Sequence, residues 1–205
     1  MSGVMRVVVA SANPHKVTEL RDLLGAALPG LQLVARPPDG PDVDESESTL
    51  EGNAFLKARA LVAFTGEAAI ADDTGLFVAA LHGAPGVHTA RYGGPNAEPE
   101  ANRAKLLAAL DGLDAVTASE RHAEFRTVIV LVGADGSAVT AEGSVEGWIA
   151  PSAIGSGGFG YDSVFIPLEG DGRTFAEMSE TEKHALSHRG RAIRALAAKL
   201  GSPTP

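Results

Sequence analysis

The apolar run over residues 4–10 limits most strongly what this chain can fold into. It is interrupted only by Arg6, so it predicts a strand that is buried on both faces. A helix is predicted directly after it, because Asn13 followed by Pro14 is typical of an N-cap and a first helical position. A buried strand that leads into a helix is the beginning expected of an α/β fold.

Helical and extended patterns continue to alternate along the chain. Capping boxes, in which two polar residues satisfy N–H groups at a helix start, are predicted at Ser48 with Glu51 and at Ser179 with Glu182. Further helices are predicted over residues 98–110 and 189–200, and short strands over residues 31–35, 68–71 and 164–166. A hairpin is predicted between residues 125–132 and 137–149, with a turn at Ala134, Asp135 and Gly136. This order predicts an α/β fold with a mixed sheet.

The charge balance restricts the classes of partner. The chain has 17 lysines and arginines against 26 aspartates and glutamates, which gives a formal net charge of −9. A nucleic-acid-binding protein normally presents a basic face, so no nucleic-acid partner is expected. The chain contains no cysteine, which excludes disulfides and thiolate metal sites. No uncharged apolar run approaches the length of a membrane span, and a cytoplasmic protein with no membrane partner is expected.

Six residues between the first strand and the first helix are the first candidate phosphate site: Ser11, Ala12, Asn13, Pro14, His15 and Lys16. A strand-to-helix turn offers free N–H groups and the positive end of a helix dipole, which together bind phosphate. Lys16 adds a charge, and Ser11 and Asn13 add hydrogen bonds. The spacing is not that of a Walker motif. An ordinary helix cap with a surface lysine is the alternative.

Two adjacent carboxylates, Asp72 and Asp73, precede Thr74 and Gly75 at the end of a predicted strand. If the strand geometry persists, the two side chains project to opposite sides. A carboxylate at this place is able to hold magnesium or to accept a proton from attacking water. The alternative is a turn in which Asp and Gly serve only the backbone geometry.

An acidic segment is a second source of candidate metal ligands, although charge runs are more often solvated faces. Its members are Asp42, Asp44, Glu45, Glu47 and Glu51.

The glycine-rich segment over residues 155–160 matches the dinucleotide-binding pattern Gly-x-Gly-x-x-Gly by spacing alone. A dinucleotide-binding site requires a strand before this pattern and a helix after it. The residues that follow are typical of a strand, so a dinucleotide-binding site is excluded. Its glycines, next to Phe159 and Tyr161, would allow a flat base to approach and stack, and an ordinary glycine-rich connection is the alternative. Lys183, His188 and Arg189 are candidate donors to a base or a phosphate, or else surface cations.

Six blocks in this order resemble one known family. They are Ser11-Ala12-Asn13 with Lys16 and Glu19; Asn53-Ala54 with Lys57; Ala71-Asp72-Asp73-Thr74-Gly75-Leu76; Pro85-Gly86 with Ala90-Arg91-Tyr92; Gly157-Gly158-Phe159-Gly160-Tyr161-Asp162; and Ser187-His188-Arg189-Gly190. Together they resemble the Ham1-like inosine triphosphate pyrophosphatases, which hydrolyse dITP, ITP and XTP to the monophosphate and pyrophosphate.

The resemblance implies a fold and a set of roles. The fold would be α/β, a single domain over residues 1–205 with two lobes, a long mixed, twisted sheet flanked by helices, a central substrate cleft and a homodimer. The cofactor would be Mg²⁺, with Asp73 and Glu45 as its ligands and Asp73 also as general base. The substrate would contact Ser11, Ala12, Asn13, Pro14, His15, Lys16, Thr74, Phe159, Gly160, Tyr161, Asp162, Lys183, His188 and Arg189.

One position departs from the family. Many members have Glu-Asn-Ala, whereas Gly52 precedes Asn53 here. If that glutamate binds metal or water elsewhere in the family, this chain must use Glu51, Glu45 or Asp44.

Overall fold

The sheet has seven strands in the computed structural model, which describes residues 5–114 and 117–201. The strands are β1 (Met5–Val9), β2 (Leu31–Val34), β3 (Ala68–Val78), β4 (Pro85–Gly86), β5 (His122–Val132), β6 (Ala138–Ile149) and β7 (Phe165–Pro167). Their order is β2-β1-β3-β5-β6-β7, with β4 paired to β3. β1 pairs in parallel with β2 and β3, whereas β3–β4 and β6–β7 are antiparallel. The predicted α/β class and mixed sheet are confirmed.

Five α-helices lie within the described residues: α1 (Pro14–Ala27), α2 (Leu50–Thr65), α3 (Pro99–Asp111), α4 (Glu180–Leu186) and α5 (His188–Gly201). Asn13 caps α1 with its side-chain oxygen, as its sequence predicts. The capping box of Ser179 with Glu182 and the turn between β5 and β6 are also confirmed. Among the described residues, no helix is both long enough and apolar enough to cross a membrane.

The chain divides into two compact units. The first comprises Met1–Asp73, Thr127–Gly143 and Gly190–Pro205, and the second comprises Thr74–Arg126 and Ser144–Arg189. In the first unit, alternate residues of the strands separate two apolar layers. Val7, Val9 and Ile70 pack with α1 and α5, whereas Val8 and Ala69 pack with Leu61 of α2. Because successive side chains of a strand point to opposite faces of the sheet, the position of a residue in its strand decides which helix it packs against.

The second unit has its own core. Phe125, Phe165 and Phe175 pack with Leu106 and Leu110 of α3, and all five are at least 96% buried. Phe125 and Phe165 lie with ring centroids 4.7 Å apart, and Phe165 and Phe175 with centroids 5.3 Å apart. Aromatic rings packed at such distances attract one another in addition to the apolar area that they bury.

Two local predictions were wrong. The strand predicted over residues 68–71 continues through Asp72 and Asp73 to Val78, because lysines pair with both carboxylates inside the sheet. The cap of α2 is Thr49, whose hydroxyl accepts from the Gly52 N–H at 3.0 Å, and not Ser48. Either side chain is a good cap, and the helix begins at the buried Leu50. Val4, which was predicted in the first strand, lies outside the described residues.

Candidate active site

The alternation of β3 sends its two aspartates toward different helices. Asp72 follows Ile70 on the α1 side and lies 3.3 Å from the ammonium of Lys16, a residue of α1. Asp73 follows Ala71 on the other side and meets two residues of α2, Asn53 and Lys57. The expectation that adjacent carboxylates of a strand diverge is met, and each is paired with a different lysine.

Lys57 lies at the centre of a carboxylate cluster. Its ammonium donates to Asp73 Oδ1 at 3.0 Å, to Glu45 Oε1 at 2.9 Å and to the Asp72 carbonyl oxygen at 2.7 Å. Asn53 donates its side-chain N–H to the other Asp73 oxygen, Oδ2, at 3.3 Å. The side chains of Asp73 and Lys57 are only 7% and 13% exposed, so their attraction is weakly screened by water.

The burial of this cluster changes the protonation of its members. Burial raises the pKa of the Asp73 carboxyl above its ordinary value, Lys57 and Lys16 oppose that change, and Glu45 adds to it. Burial disfavours the charge on Lys57, but Asp73, Asp72 and Glu45 outweigh it and raise the pKa of Lys57. A carboxylate with a raised pKa is a better proton acceptor than an exposed one.

The two carboxylates Asp73 and Glu45 are suited to hold a divalent cation. Asp73 and Glu45 already converge on one cation, the Lys57 ammonium, and carboxylate oxygens are the ligands that Mg²⁺ prefers. The described residues contain no group of three or more His, Cys, Asp or Glu that would form a complete cage. Magnesium is usually held by one or two carboxylates together with substrate phosphates, so two are sufficient.

The carboxylates that the sequence left open as metal ligands differ in their contacts. Glu45 pairs with Lys57, whereas Asp44 is exposed and Glu51 is exposed in the first turn of α2. A side chain at Gly52 would have its Cβ 2.7 Å from the Cβ of Glu47, which is closer than two such atoms approach. A glutamate at position 52 therefore requires Glu47 to move.

Several hydrogen-bonding groups of the predicted phosphate-binding segment, residues 11–16, are paired with one another. The Asn13 side-chain oxygen accepts from the N–H groups of His15 at 3.0 Å and Lys16 at 3.3 Å, and Pro14 has no N–H. The Asn13 N–H in turn donates to Ser11 Oγ at 3.2 Å. Ala12 and His15 are exposed. A phosphate here would displace the cap or use side chains such as those of Lys16 and Ser11.

A second cluster, in the second unit, surrounds Phe159. Asp162 Oδ2 accepts from the Phe159 N–H at 2.7 Å and from the Lys183 ammonium at 2.8 Å. The Lys183 ammonium also lies 4.9 Å from the centre of the Phe159 ring. Gly158 has a φ of +67°, and a Cβ there would collide with the Asp162 carboxylate, so glycine is needed at this place.

The remaining predicted base-binding residues lie in the same unit. The Arg189 guanidinium is 5.6 Å from the Phe159 ring centre and donates to Thr74 Oγ1 at 3.3 Å. The His188 ring stacks on Phe125, with centroids 4.5 Å apart. Tyr161 is buried, its hydroxyl donates to the Thr89 carbonyl oxygen at 3.0 Å, and burial raises its pKa. The Gly160 carbonyl oxygen accepts from Arg103 of α3 at 2.6 Å.

Three residues that organise these clusters, Asn53, Lys57 and Arg103, were given no role by the sequence. Asn53 and Lys57 are four residues apart on α2, a spacing that puts both on one face of the helix and was visible in the sequence. Arg103, which holds Gly160, is 57 residues away from it and had no local signal.

Comparison with known proteins identifies relatives over nearly the whole chain. The sequence model of the Ham1 family matches residues 7–199. A dITP/XTP pyrophosphatase of Methylococcus capsulatus is 44% identical over 202 residues, which cover 97% of this chain and 98% of the relative. One of Erwinia tasmaniensis is 48% identical, over 94% of this chain and 93% of the relative. The solved HAM1 protein of Coxiella burnetii superposes with a TM-score of 0.82 at 39% identity, over 96% and 98% of the two chains.

Proposed function

Because this chain belongs to the Ham1 family, we propose that it hydrolyses deaminated purine nucleoside triphosphates, dITP, ITP and XTP, to the monophosphate and pyrophosphate. Relatives that cover nearly the whole chain carry the name dITP/XTP pyrophosphatase. One structural observation supports the proposal most directly: two carboxylates, Asp73 and Glu45, converge on a single cation at a buried position. Such a pair is suited to phosphoanhydride chemistry, in which negative charge must be balanced.

Asp73 and Glu45 would hold Mg²⁺ together with oxygens of the substrate phosphates. When bound, the ion would reduce the repulsion between those phosphates and water and would stabilise the charge on departing pyrophosphate. Lys57 supplies a fixed positive charge within 3.0 Å of both carboxylates and keeps them together. The chain's own residues thereby provide both a metal-binding pair and a charge that balances it.

Asp73 would act as general base. It accepts a proton from a water molecule as the water oxygen forms a bond to the α-phosphorus, and the bond from that phosphorus to the α–β bridging oxygen breaks. The bridging oxygen departs as part of pyrophosphate, and the nucleoside monophosphate remains. The raised pKa of Asp73 favours this proton transfer, and the Asn53 hydrogen bond to Asp73 Oδ2 orients the carboxylate.

The triphosphate would be bound by the segment that opens α1. Lys16 contributes charge and Ser11 a hydroxyl, with Ala12, Asn13, Pro14 and His15 completing the turn. Thr74, next to Asp73 in β3, supplies a further hydroxyl.

The base would be recognised by the cluster around Phe159. Its ring offers a stacking surface, and Lys183, His188 and Arg189 offer donors to the carbonyl oxygen at the purine 6-position. Adenine has an amino group at that position, which does not accept hydrogen bonds from these donors, so adenine nucleotides should bind less well. Gly160, Tyr161 and Asp162 shape the turn that carries Phe159.

A pyrophosphate-release assay across triphosphates tests this function. The purified protein with Mg²⁺ should release pyrophosphate from dITP, ITP and XTP much faster than from dATP. Equal kcat/KM values for ITP and ATP would refute the selectivity, and orthophosphate as the product would refute the cleavage position. The homodimer, the single domain over residues 1–205 with its central cleft, and the cytoplasmic location stay predictions, and light scattering would test the homodimer.

A further inference from the structure

Asn53 connects two parts of the first unit that are distant in sequence. Its side chain is completely buried in the fourth position of α2. One end of its amide, Nδ2, donates to Asp73 Oδ2 at 3.3 Å, and the other end, Oδ1, accepts from the backbone N–H of Glu47 at 3.0 Å. A buried amide that uses both ends in this way fixes the distance between its two partners.

Glu47 belongs to a short segment, the Glu45 loop, formed by residues 44–47. The loop is turned by a bond from the Ser46 N–H to the Asp44 carbonyl oxygen at 3.0 Å. It lies directly on the first turn of α2, because Gly52 has no side chain and leaves room for Cβ and Cγ of Glu47. Gly52 and Asn53 therefore hold the backbone of this loop, whereas Lys57 holds the Glu45 side chain at 2.9 Å.

We propose that Asn53 is a positioning residue that fixes the Glu45 loop relative to Asp73, with Gly52 as the space into which the loop docks. The inference rests on the proposed function, in which Glu45 and Asp73 bind Mg²⁺ as a pair. An amide is suited to this task because it donates to a carboxylate and accepts from a backbone N–H at once. Leucine has a similar shape and can do neither, so the loop and Asp73 lose their common support.

The test measures metal binding without turnover, using Mn²⁺ alone as the probe and the free Mn²⁺ signal in electron paramagnetic resonance. Residues that orient metal ligands typically change metal affinity by 10- to 100-fold when they are replaced. Asn53→Leu should therefore weaken Mn²⁺ binding about tenfold or more. A folded Asn53→Leu protein that binds Mn²⁺ as tightly as the unchanged protein would overturn the inference.

Asn102→Leu is the matched control. Asn102 is also buried in the fourth position of its helix, α3, and also ties a loop, accepting from the Gly93 N–H at 2.6 Å and donating to the Ala90 carbonyl oxygen at 3.0 Å. Both substitutions should lower the Tm, but only Asn53→Leu should change Mn²⁺ affinity. An equal loss of affinity in both variants would mean general destabilisation and would also overturn the inference.

A second pair of variants decides the matter if Asn53→Leu does not fold. Gly52→Ala puts a Cβ against Glu47 and should weaken Mn²⁺ binding, whereas adding Glu47→Gly removes the collision and should restore it. Unchanged affinity in Gly52→Ala, or no restoration by Glu47→Gly, would overturn the inference. Absence of Mn²⁺ binding by the unchanged protein would overturn this inference, because Asp73 and Glu45 would then form no metal site before the substrate supplies its phosphates, and the proposed function would stand. Absence of pyrophosphate release with an intact Asn53 effect would refute the proposed function alone.

Discussion

Replacing Lys57 by methionine should destabilise the protein, and the loss should grow as the pH rises. Methionine keeps the apolar stem of lysine but removes its charge and its three hydrogen bonds, to Asp73, Glu45 and the Asp72 carbonyl oxygen. Asp73 then remains as a buried carboxylate with only Asn53 and the more distant charge of Lys16 to support it. Breaking a buried ion pair by removing one partner typically costs about 3–5 kcal/mol, and the retained bond to Asn53 places this case near 3 kcal/mol at pH 7.5.

The pH dependence follows from the protonation of Asp73. Its pKa in the folded protein is already raised by burial, so its favourable contribution is complete below the unfolded pKa and is lost as the pH rises through the folded pKa. Lys57 lowers the pKa of Asp73, and the variant therefore raises it further. At acidic pH the unpaired carboxyl of the variant takes up a proton and no longer carries an uncompensated charge. The loss of stability should therefore be smaller at pH 5 than at pH 7.5.

Urea unfolding at pH 7.5 and pH 5 measures the loss of stability and its change with pH. Lys199→Met is the matched control, because Lys199 is exposed in the same unit and donates to a carbonyl oxygen, that of Thr140, at 2.6 Å. Exposed lysines typically contribute less than about 1 kcal/mol, so this control should change stability little at either pH. A loss below about 1 kcal/mol for Lys57→Met at pH 7.5, or an equal loss at both pH values, would show that Lys57 does not stabilise the charged form of Asp73.

Three further predictions concern the active-site residues Asp73 and Phe159. Asp73→Asn should lower kcat by about two orders of magnitude or more, as is typical when a general base is removed, and steady-state kinetics that retain most of the turnover would exclude that role. The pKa of the Asp73 carboxyl in the metal-free protein, followed by carbon-13 NMR of its carboxyl carbon, should lie above about 3.9, the ordinary value for Asp, because burial raises it; a pKa at or below that value would contradict the burial of this carboxylate. Phe159→Ala should raise KM for dITP about tenfold with a smaller change in kcat, since base stacking on an aromatic ring contributes about 1–3 kcal/mol; an unchanged KM would remove Phe159 from base binding.

The presence of the helices and strands was predicted from the sequence more accurately than the residues at which they end. The candidate carboxylates were likewise predicted more accurately than the residues that pair with them. Alternation along β3 placed Asp72 and Asp73 on opposite sides, because side-chain direction in a strand depends on position alone. The length of β3 was not predictable, because aspartates disfavour strands unless they are paired, and the pairing lysines, Lys16 and Lys57, come from elsewhere in the chain.

Local sequence patterns also could not predict which residues surround the predicted base-binding residues. Tyr161 and Asp162 were expected at the ligand, which stays a prediction, and the structure buries both and engages them with Thr89 and Lys183. Those partners are up to 72 residues away in sequence, and only the folded chain brings them together. Local propensity carries no information on such contacts.

The product released from XTP and dITP with Mg²⁺ identifies the reaction most directly. The protein should produce the nucleoside monophosphate and pyrophosphate in equal amounts, at a rate that falls to the background without the metal and in the Asp73→Asn variant. Release of orthophosphate, or hydrolysis of dATP at a rate equal to those of dITP and XTP, would contradict the proposed function.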